Sequence, residues 1–295
     1  MAHLLLVLTT LFWSGNFVLA RATHLDIPPL TLAFLRWGLA LLILLPWVAP
    51  ALWRERQLLR QHWKMLLLLA WLGVANFNSF VYLGLQQTTA TNATLLQSAV
   101  PVVILLLSTA LGQPLRWVQL GAIGVSLTGV MLIISRGDLP ALLQLAVNPG
   151  DLWILAAVVT WSLYTVALRW RPQRLSARAL LGSTIALGVL MLLPFLLWEQ
   201  GQGGQINWHR GTLLTIGYMA LFPSVLAYFF WNYGVATLGA PRAGLYIHLM
   251  PVFGLLLSVL FLGERVLPFN LLGIALIFTG IYLATGRQSR TPSSL

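Results

Sequence analysis

Four stretches of this 295-residue sequence each place an aromatic ring one helical turn from a hydrogen-bonding group. Residues three or four apart share a face of a helix, so each stretch would present a ring surface beside an amide or a hydroxyl. Rings can stack on a ring-bearing ligand, while Asn and Tyr can hold an amino and a carboxyl group. The candidate substrate-binding residues in these stretches are Trp13, Asn16, Asn78, Tyr82, Trp161, Tyr164, Tyr228 and Asn232.

The same residue types also have structural uses inside membranes. Asn in a transmembrane helix often hydrogen-bonds a neighbouring helix, which is worth about 0.6–2 kcal/mol. Trp and Tyr commonly anchor helices at the membrane interface. For any single residue both interpretations stay open, whereas the repetition of the pattern over four helices favours the lining of a cavity.

Two prolines, Pro101 and Pro251, interrupt apolar runs. Proline lacks an N–H and frees the carbonyl four residues earlier, and broken helices of this kind line cavities or act as gates in transporters. The pair therefore predicts a gate, although packing alone also explains a kink. His248 precedes Pro251 and is a further candidate binding residue, with a hydrogen-bonded structural role as the alternative.

Arg36 is the one cation inside an apolar run. It lies about two turns after Pro29, so its side chain could snorkel to the outer interface, and the predicted role is anchoring or structural. The alternative is that Arg36 attracts the carboxylate of a substrate.

Groups that could catalyse a reaction or hold a metal are missing from the apolar runs. The chain has no cysteine and five scattered histidines, and all six acidic residues fall in loops or at the ends of apolar runs. A membrane enzyme would be expected to show a metal-binding set or an acid–base pair near an interface. We therefore predict no catalytic residue, no metal and no cofactor, and no proton coupling through an intramembrane carboxylate.

The elements that position the candidate residues are membrane-spanning helices. Hydrophobic residues make up 59% of the chain and charged residues 8%, against about 25% charged in a soluble domain. This composition excludes soluble folds and nucleic-acid-binding proteins. A helix needs about 20 apolar residues to cross a bilayer. Ten runs meet this requirement, at residues 3–21, 29–49, 64–85, 92–111, 116–135, 150–169, 178–198, 211–234, 243–262 and 267–285.

The ten runs form two halves that repeat in sequence. A shift of 148 residues places Trp13 on Trp161, and a shift of 150 places Pro101 on Pro251. Each half has an odd number of spans, so the second half enters the membrane from the opposite side. Inverted repeats of this kind are typical of secondary transporters. The predicted fold is an all-α integral membrane protein with ten transmembrane helices in two inverted-topology five-helix repeats.

Basic residues are distributed unevenly over the loops, and this predicts the orientation. With the N-terminus inside, twelve of the 17 basic residues lie on the cytoplasmic side and four outside, while Arg36 lies within a span. Both termini are therefore predicted to be cytoplasmic. The outer set is Arg21, Arg136, Arg210 and Arg265. The inner set is Arg54, Arg56, Arg60, Lys64, Arg116, Arg169, Arg171, Arg174, Arg178, Arg242, Arg287 and Arg290.

Small residues are spaced along the fifth and tenth runs. They predict close helix packing without a polar site, and possible use as a dimer face, so the chain is expected to be a monomer or a homodimer. These residues are Gly121, Gly124, Thr128, Gly129, Gly273 and Gly280.

Several motifs carry a resemblance to a known family. They are Phe12-Trp13-Ser14-Gly15-Asn16-Phe17, Ala33-Phe34-Leu35-Arg36-Trp37, Leu262-Gly263-Glu264 and the closing pair Gly273 and Gly280. Their order and spacing resemble the EamA family of the drug/metabolite transporter superfamily, and within it most of all the YddG-type bacterial exporters of aromatic amino acids.

The resemblance implies one EamA-like repeat over residues 1–138 and a second over 150–285, with an interfacial linker at 139–149 and a cytoplasmic tail at 286–295. It also implies a multi-pass protein of the bacterial inner membrane whose partners are the lipid bilayer and a small-molecule substrate. The expected function is export of small metabolites, including aromatic amino acids, by alternating access. Export of other drugs or metabolites is the alternative, and an integral-membrane enzyme is a more distant one.

Overall fold

The computed structural model describes residues 1–114, 117–135, 137–138, 148–262 and 266–285. All regular structure in these residues is helical. Some predictions fall outside the described part of the chain. They concern Arg116, Arg136, Arg265, Gly263-Glu264, the linker up to residue 147 and the tail at 286–295.

Nine helices among the described residues are long and apolar enough to cross a membrane, and a tenth apolar helix is slightly shorter. They agree with the ten predicted runs and are labelled α1 to α10 in chain order. Their bounds are Ala2–Ala22, Pro29–Arg54, Trp63–Gln87, Asn92–Ala110, Trp117–Ile134, Pro149–Trp170, Ala177–Gly201, Arg210–Leu238, Ala240–Leu257 and Pro268–Ala284.

The two five-helix halves interlock through equivalent helix pairs. Helix α1 packs on α8, and its repeat equivalent α6 packs on α3. Helix α2 packs on its own equivalent α7, and α5 packs on its own equivalent α10. The core of the molecule therefore lies between the halves rather than within either of them.

The start of each of the helices α2 and α7 is capped by a carboxylate that lies near the end of the other helix. Glu199, near the end of α7, accepts hydrogen bonds from the backbone N–H groups of Leu30 (3.1 Å) and Thr31 (2.6 Å) at the start of α2. Glu55, directly after α2, accepts from the N–H of Ser176 (2.8 Å) just before α7. The first N–H groups of a helix lack intrahelical partners and attract negative charge. These two acids thus have a capping role at helix ends.

Glycines permit the closest contact between α5 and α10. A Cβ atom built on Gly129 would lie 2.5 Å from the carbonyl oxygen of Gly273, and one on Gly280 would lie 2.5 Å from that of Ala122. A Cβ on Gly121 or Gly124 would meet nothing within 4 Å among the described residues. The prediction of close packing is therefore correct for Gly129, Gly273 and Gly280. Gly121 and Gly124 do not contact α10 in this way, and their use as a dimer face stays a prediction.

Four helices lose regular α geometry at repeat-related places. Helix α3 is a π-helix over Trp71–Asn76, and α8 is a π-helix over Ala220–Leu226. In α4 the α-helix ends at Gln97, while α9 is a 3₁₀-helix over Leu245–Leu249. Such irregular turns leave backbone carbonyls open to other partners. All four breaks lie next to the contact between the halves.

Candidate functional site

A small cavity lies where the two halves meet. Its volume is about 10 Å³, which is room for about one water molecule. Side chains from α1, α2, α3 and α4 of the first half and from α6 and α9 of the second half line it. The lining residues are Trp13, Asn16, Phe17, Arg36, Phe77, Asn78, Gln97, Trp161, Ile247 and Met250.

Arg36 is the charged group of this cavity, and its side chain is only 1% exposed. Its Nε donates to the Ser224 hydroxyl at 2.7 Å. Its Nη1 donates to three oxygens: Oδ1 of Asn78 at 2.8 Å, Oδ1 of Asn16 at 3.0 Å, and the Tyr82 hydroxyl at 2.5 Å. The side chain of Arg36 does not snorkel to the outer interface, because these four polar groups hold the guanidinium inside the bundle. The bonds are compatible with the structural role that was the other part of the prediction.

Arg36 has no acidic partner among the described residues. The one ion pair recorded there joins His209 and Asp26, 3.4 Å apart and partly exposed. All four hydrogen-bond partners of Arg36 are neutral oxygens. A charge inside a membrane protein is costly and is normally paired, so an uncompensated cation at this cavity is a functional feature to be explained.

Each half contains the same tyrosine–asparagine hydrogen bond. In the first half the Tyr82 hydroxyl donates to Oδ1 of Asn16 at 3.0 Å. In the second half the Tyr164 hydroxyl donates to Oδ1 of Asn232 at 2.8 Å. The sequence repeat aligns Asn16 with Tyr164 and Tyr82 with Asn232, so the bond is kept while the two residue types are exchanged. Only the pair in the first half is joined to Arg36.

The two π-helices exchange hydrogen bonds with the opposite half. The Tyr228 hydroxyl donates to the carbonyl of Gly73 in the π-helix of α3. The indole Nε1 of Trp13 donates to the carbonyl of Pro223 in the π-helix of α8 at 3.2 Å. Gly73 and Pro223 are themselves repeat equivalents, 150 positions apart. Two of the predicted binding residues, Trp13 and Tyr228, thus form hydrogen bonds between the two halves.

Trp161 is the centre of a cluster of aromatic rings. Its ring centroid lies 4.9 Å from that of Trp13, 4.7 Å from Phe77 and 5.0 Å from Tyr164. Tyr228 and Trp231 lie at 5.3 and 5.5 Å. Tilted and edge-to-face rings at these separations attract one another beyond their area burial. The cluster forms one wall of the cavity and closes it.

Two residues of the cavity lining carry buried N–H groups without a partner among the described residues. They are Nε2 of Gln97, a residue 3% exposed, and the indole Nε1 of Trp161, a residue 1% exposed. Buried donors are almost always hydrogen-bonded. Unpaired donors beside a cavity are therefore available to a ligand that supplies acceptor atoms.

His248 is fully buried but does not line the cavity. Its Nε2 contacts the carbonyl oxygen of Ser98 at 3.0 Å, and its Nδ1 contacts the Ser126 hydroxyl at 2.7 Å. Because a carbonyl only accepts, Nε2 is the donor of the first bond. Ser98 is the repeat equivalent of His248, so this bond joins the broken turns of α4 and α9.

Both predicted gating prolines follow a break in their helix. Pro101 comes after the turn that separates Ala90–Gln97 from Val100–Ala110. Pro251 comes after the 3₁₀-helix, in which the carbonyl of Ile247 accepts the N–H of Met250. The proline at position 251 therefore does not leave that carbonyl free, since a tighter turn satisfies it. Whether the breaks act as a gate stays a prediction.

The structure brings four of the nine predicted binding residues to the cavity, namely Trp13, Asn16, Asn78 and Trp161. Tyr82 and Tyr228 bond directly to members of this group. Tyr164 packs on Trp161 and bonds to Asn232. Sequence reasoning underrated Arg36 and did not find Ser224 or Phe77. The position of Arg36 inside an apolar run was the signal that could have identified it.

Two inverted five-helix repeats with a cavity at their contact define the class of secondary membrane transporters. The sequence profile of the EamA-like transporter family matches residues 1–135 and 148–286. The chain belongs to this family, as its motifs suggested.

Known relatives agree with this assignment. An uncharacterized transporter of Archaeoglobus fulgidus is 31% identical over 294 residues, covering 97% of this chain and 98% of the relative. A probable amino-acid metabolite efflux pump of Escherichia coli is 24% identical over 293 residues, covering 95% and 93%. One solved crystal structure shares the fold, with a TM-score of 0.74, 23% identity and coverage of 98% and 99%. The relatives' names confirm the prediction of a transporter rather than an enzyme.

Proposed function

We propose that this transporter exports amino-acid-like metabolites, aromatic amino acids among them, through the cavity between its two halves. The observation that carries the proposal is the composition of that cavity, in which rings from both halves and amides from the first half surround a single buried cation. The rings of Trp13, Phe77 and Trp161 suit an apolar side chain, and polar groups beside them suit the backbone end of an amino acid. The name of the Escherichia coli relative supports the same substrate class.

Transport requires the cavity to enlarge and to open on alternate sides. At about 10 Å³ it cannot hold an amino acid, so the rings around Trp161 have to separate when substrate enters. The bonds from Trp13 and Tyr228 to the π-helices of the opposite half are suited to this exchange. Their acceptor carbonyls, on Pro223 and Gly73, are repeat equivalents although the donors are not, so breaking either bond alone gives two different states, as alternating access demands.

The proposal places the protein in the bacterial inner membrane with both termini in the cytoplasm. It rests on the excess of basic residues in the loops assigned to the inner side. A fluorescent protein that matures only in the cytoplasm, fused after Leu295, is expected to give signal, while a periplasmically active phosphatase at the same site stays silent. Phosphatase activity at that site would contradict the proposed orientation.

Efflux from liposomes tests the proposed function. Purified protein in vesicles loaded with labelled tryptophan, phenylalanine, threonine or a cationic dye is expected to release tryptophan and phenylalanine faster than protein-free vesicles. Because all described acidic residues lie in loops or at helix ends, release down a substrate gradient should continue after an uncoupler is added. Release of the dye alone would contradict the amino-acid proposal. Loss of downhill flux on collapse of the pH gradient would contradict the uncoupled mechanism.

A further inference from the structure

The polar side chains around the cavity leave an excess of hydrogen-bond donors. Every hydrogen bond recorded for Arg36 is made by Nε or Nη1. Its Nη2 therefore keeps two N–H groups without a partner among the described residues. Nε2 of Gln97 and Nε1 of Trp161 are unpartnered as well. All three groups can donate, and none of them can accept.

The cavity also carries a net positive charge from Arg36, with no negative counter-charge beside it among the described residues. Arg36 keeps its positive charge in any protein environment. The described acids Glu55, Asp151 and Glu199 are occupied elsewhere, because each accepts hydrogen bonds from backbone or hydroxyl groups at a helix end. A guanidinium buried among neutral oxygens gains most from a ligand that brings a negative charge and paired oxygens, since charge-assisted hydrogen bonds are about twice as strong as neutral ones.

From this donor excess we infer that the substrate must carry a carboxylate, which binds Nη2 of Arg36 together with the free N–H groups of Gln97 and Trp161. This inference rests on the proposed function and narrows it. A protonated amine or a cationic drug of the same shape would bring no acceptor and would add positive charge. An alcohol would bring one neutral acceptor for three donor groups and no charge. The ring wall contributes the apolar contact, whereas the carboxylate is the recognised group.

Four indole compounds of similar size separate the carboxylate from the rest of the ligand. Equilibrium binding to the purified full-length protein would compare tryptophan, indole-3-propionate, tryptamine and tryptophanamide. The first two carry a carboxylate and the last two do not. Tryptophan and indole-3-propionate are expected to bind, and the other two to bind roughly 10- to 100-fold more weakly, as loss of a charged hydrogen-bond partner implies.

Conservative variants test the named donors without threatening the fold. Trp161→Phe and Gln97→Met each delete an unpartnered N–H, so tryptophan affinity should fall roughly 10-fold. Gln97→Met should keep the thermal stability of the parent, whereas Trp161→Phe also removes part of a buried ring and should lower thermal stability, as Trp231→Phe should. Trp231→Phe is the matched control, because its Nε1 is also buried and unpartnered but the residue does not line the cavity. Its tryptophan affinity should match the parent's. Trp161→Ala is less informative, since it also removes a ring packed against five others.

Two substitutions at Arg36 test whether its positive charge determines the preference for a carboxylate. Arg36→Lys keeps a cation and should keep the preference for tryptophan over tryptamine with weaker binding, whereas Arg36→Gln should lose the preference. If Arg36→Gln does not fold, the Gln97 and Trp161 variants still decide the question.

The outcomes separate this inference from the proposed function. Equal binding of all four compounds would overturn the carboxylate requirement and leave amino-acid export intact. Binding of indole-3-propionate without binding of any amino acid would uphold the requirement and overturn the amino-acid proposal. Preference for tryptamine would overturn both. An unchanged tryptophan affinity in both Trp161→Phe and Gln97→Met would remove these residues from the carboxylate site and overturn the inference as stated.

Discussion

The Asn78→Asp variant is expected to be more stable than the parent protein and unable to transport tryptophan. Oδ1 of Asn78 accepts a hydrogen bond from Nη1 of Arg36 at 2.8 Å. A carboxylate in this place would supply the counter-charge that Arg36 lacks among the described residues. Replacing a neutral acceptor by a charged one should raise the free energy of unfolding by about 1–3 kcal/mol. The substitution also removes the bond that Nδ2 of Asn78 donates to the Tyr228 hydroxyl at 3.2 Å, but a neutral bond is worth about half as much as a charge-assisted one. The same pairing would satisfy the guanidinium before substrate arrives, so transport should fall by roughly 100-fold.

A matched control exists in the other half of the protein. Asn232 also accepts a hydrogen bond, from the hydroxyl of Tyr164 at 2.8 Å, but no cation among the described residues bonds to it. Asn232→Asp is therefore expected to lower stability, because it places a carboxylate among uncharged groups. Thermal unfolding in detergent and tryptophan efflux from liposomes give the two measurements. Equal destabilisation by both substitutions, or normal efflux by Asn78→Asp, would contradict the role given to Arg36.

The Gly129→Leu variant is expected to lose most of its folded protein from the membrane. A Cβ atom at this position would lie 2.5 Å from the carbonyl oxygen of Gly273 and 3.0 Å from Ile277. A leucine would force α5 and α10 apart, and overpacking of this kind typically costs about 1–3 kcal/mol, with larger costs where the neighbouring atom is backbone. Membrane abundance and the midpoint of thermal unfolding measure the effect.

Gly124→Leu on the same helix is the control for this prediction. A Cβ at Gly124 meets nothing within 4 Å, so abundance and thermal stability should stay near those of the parent. If Gly124→Leu were as damaging as Gly129→Leu, the outward face of Gly124 would be in contact with another molecule, such as a second copy of the chain. The close contact of α5 and α10 would then not be the cause of the loss.

The helices and their repeat could be predicted because hydrophobicity and helix length are properties of single segments. Runs of about 20 apolar residues leave few alternatives inside a bilayer. The alignment of Trp13 with Trp161 and of Pro101 with Pro251 then related the halves without knowledge of contacts. The exchange of Asn and Tyr between positions 78 and 228 was visible as well. The structure adds that a tyrosine–asparagine bond between other members of the candidate set occurs in both halves.

The direction in which a side chain points could not be predicted at the same level. Arg36 was expected to reach for the membrane interface, since isolated long cations commonly do so. Whether it does depends on polar groups from α1, α3 and α8, which only the fold brings together. For the same reason Gly124 could not be distinguished from Gly129. The spacing of small residues marks a helix face only approximately. Of the two glycines, Gly129 contacts α10, whereas Gly124 has no neighbour within 4 Å among the described residues.

The π-helix of α3 had no clear signal in the sequence. Both π-helices depend on side chains of the opposite half, since Tyr228 bonds the carbonyl of Gly73, and Trp13 bonds that of Pro223. Pro223 is a break signal in α8, but Gly73 in α3 is not a comparable one. The cavity also contains a cation, Arg36, and this cation is the basis of the inferred carboxylate requirement.

The distance between the substrate carboxylate and Arg36 tests the central claim most directly. Solid-state NMR on the protein in lipid, with ¹⁵N-labelled arginine side chains and tryptophan labelled with ¹³C at its carboxyl carbon, measures this distance. A contact within about 4 Å is predicted, as a charge-assisted hydrogen bond requires, and it should disappear in Arg36→Lys. Bound tryptophan without any carboxyl–arginine contact, or a contact that persists in Arg36→Lys, would contradict it.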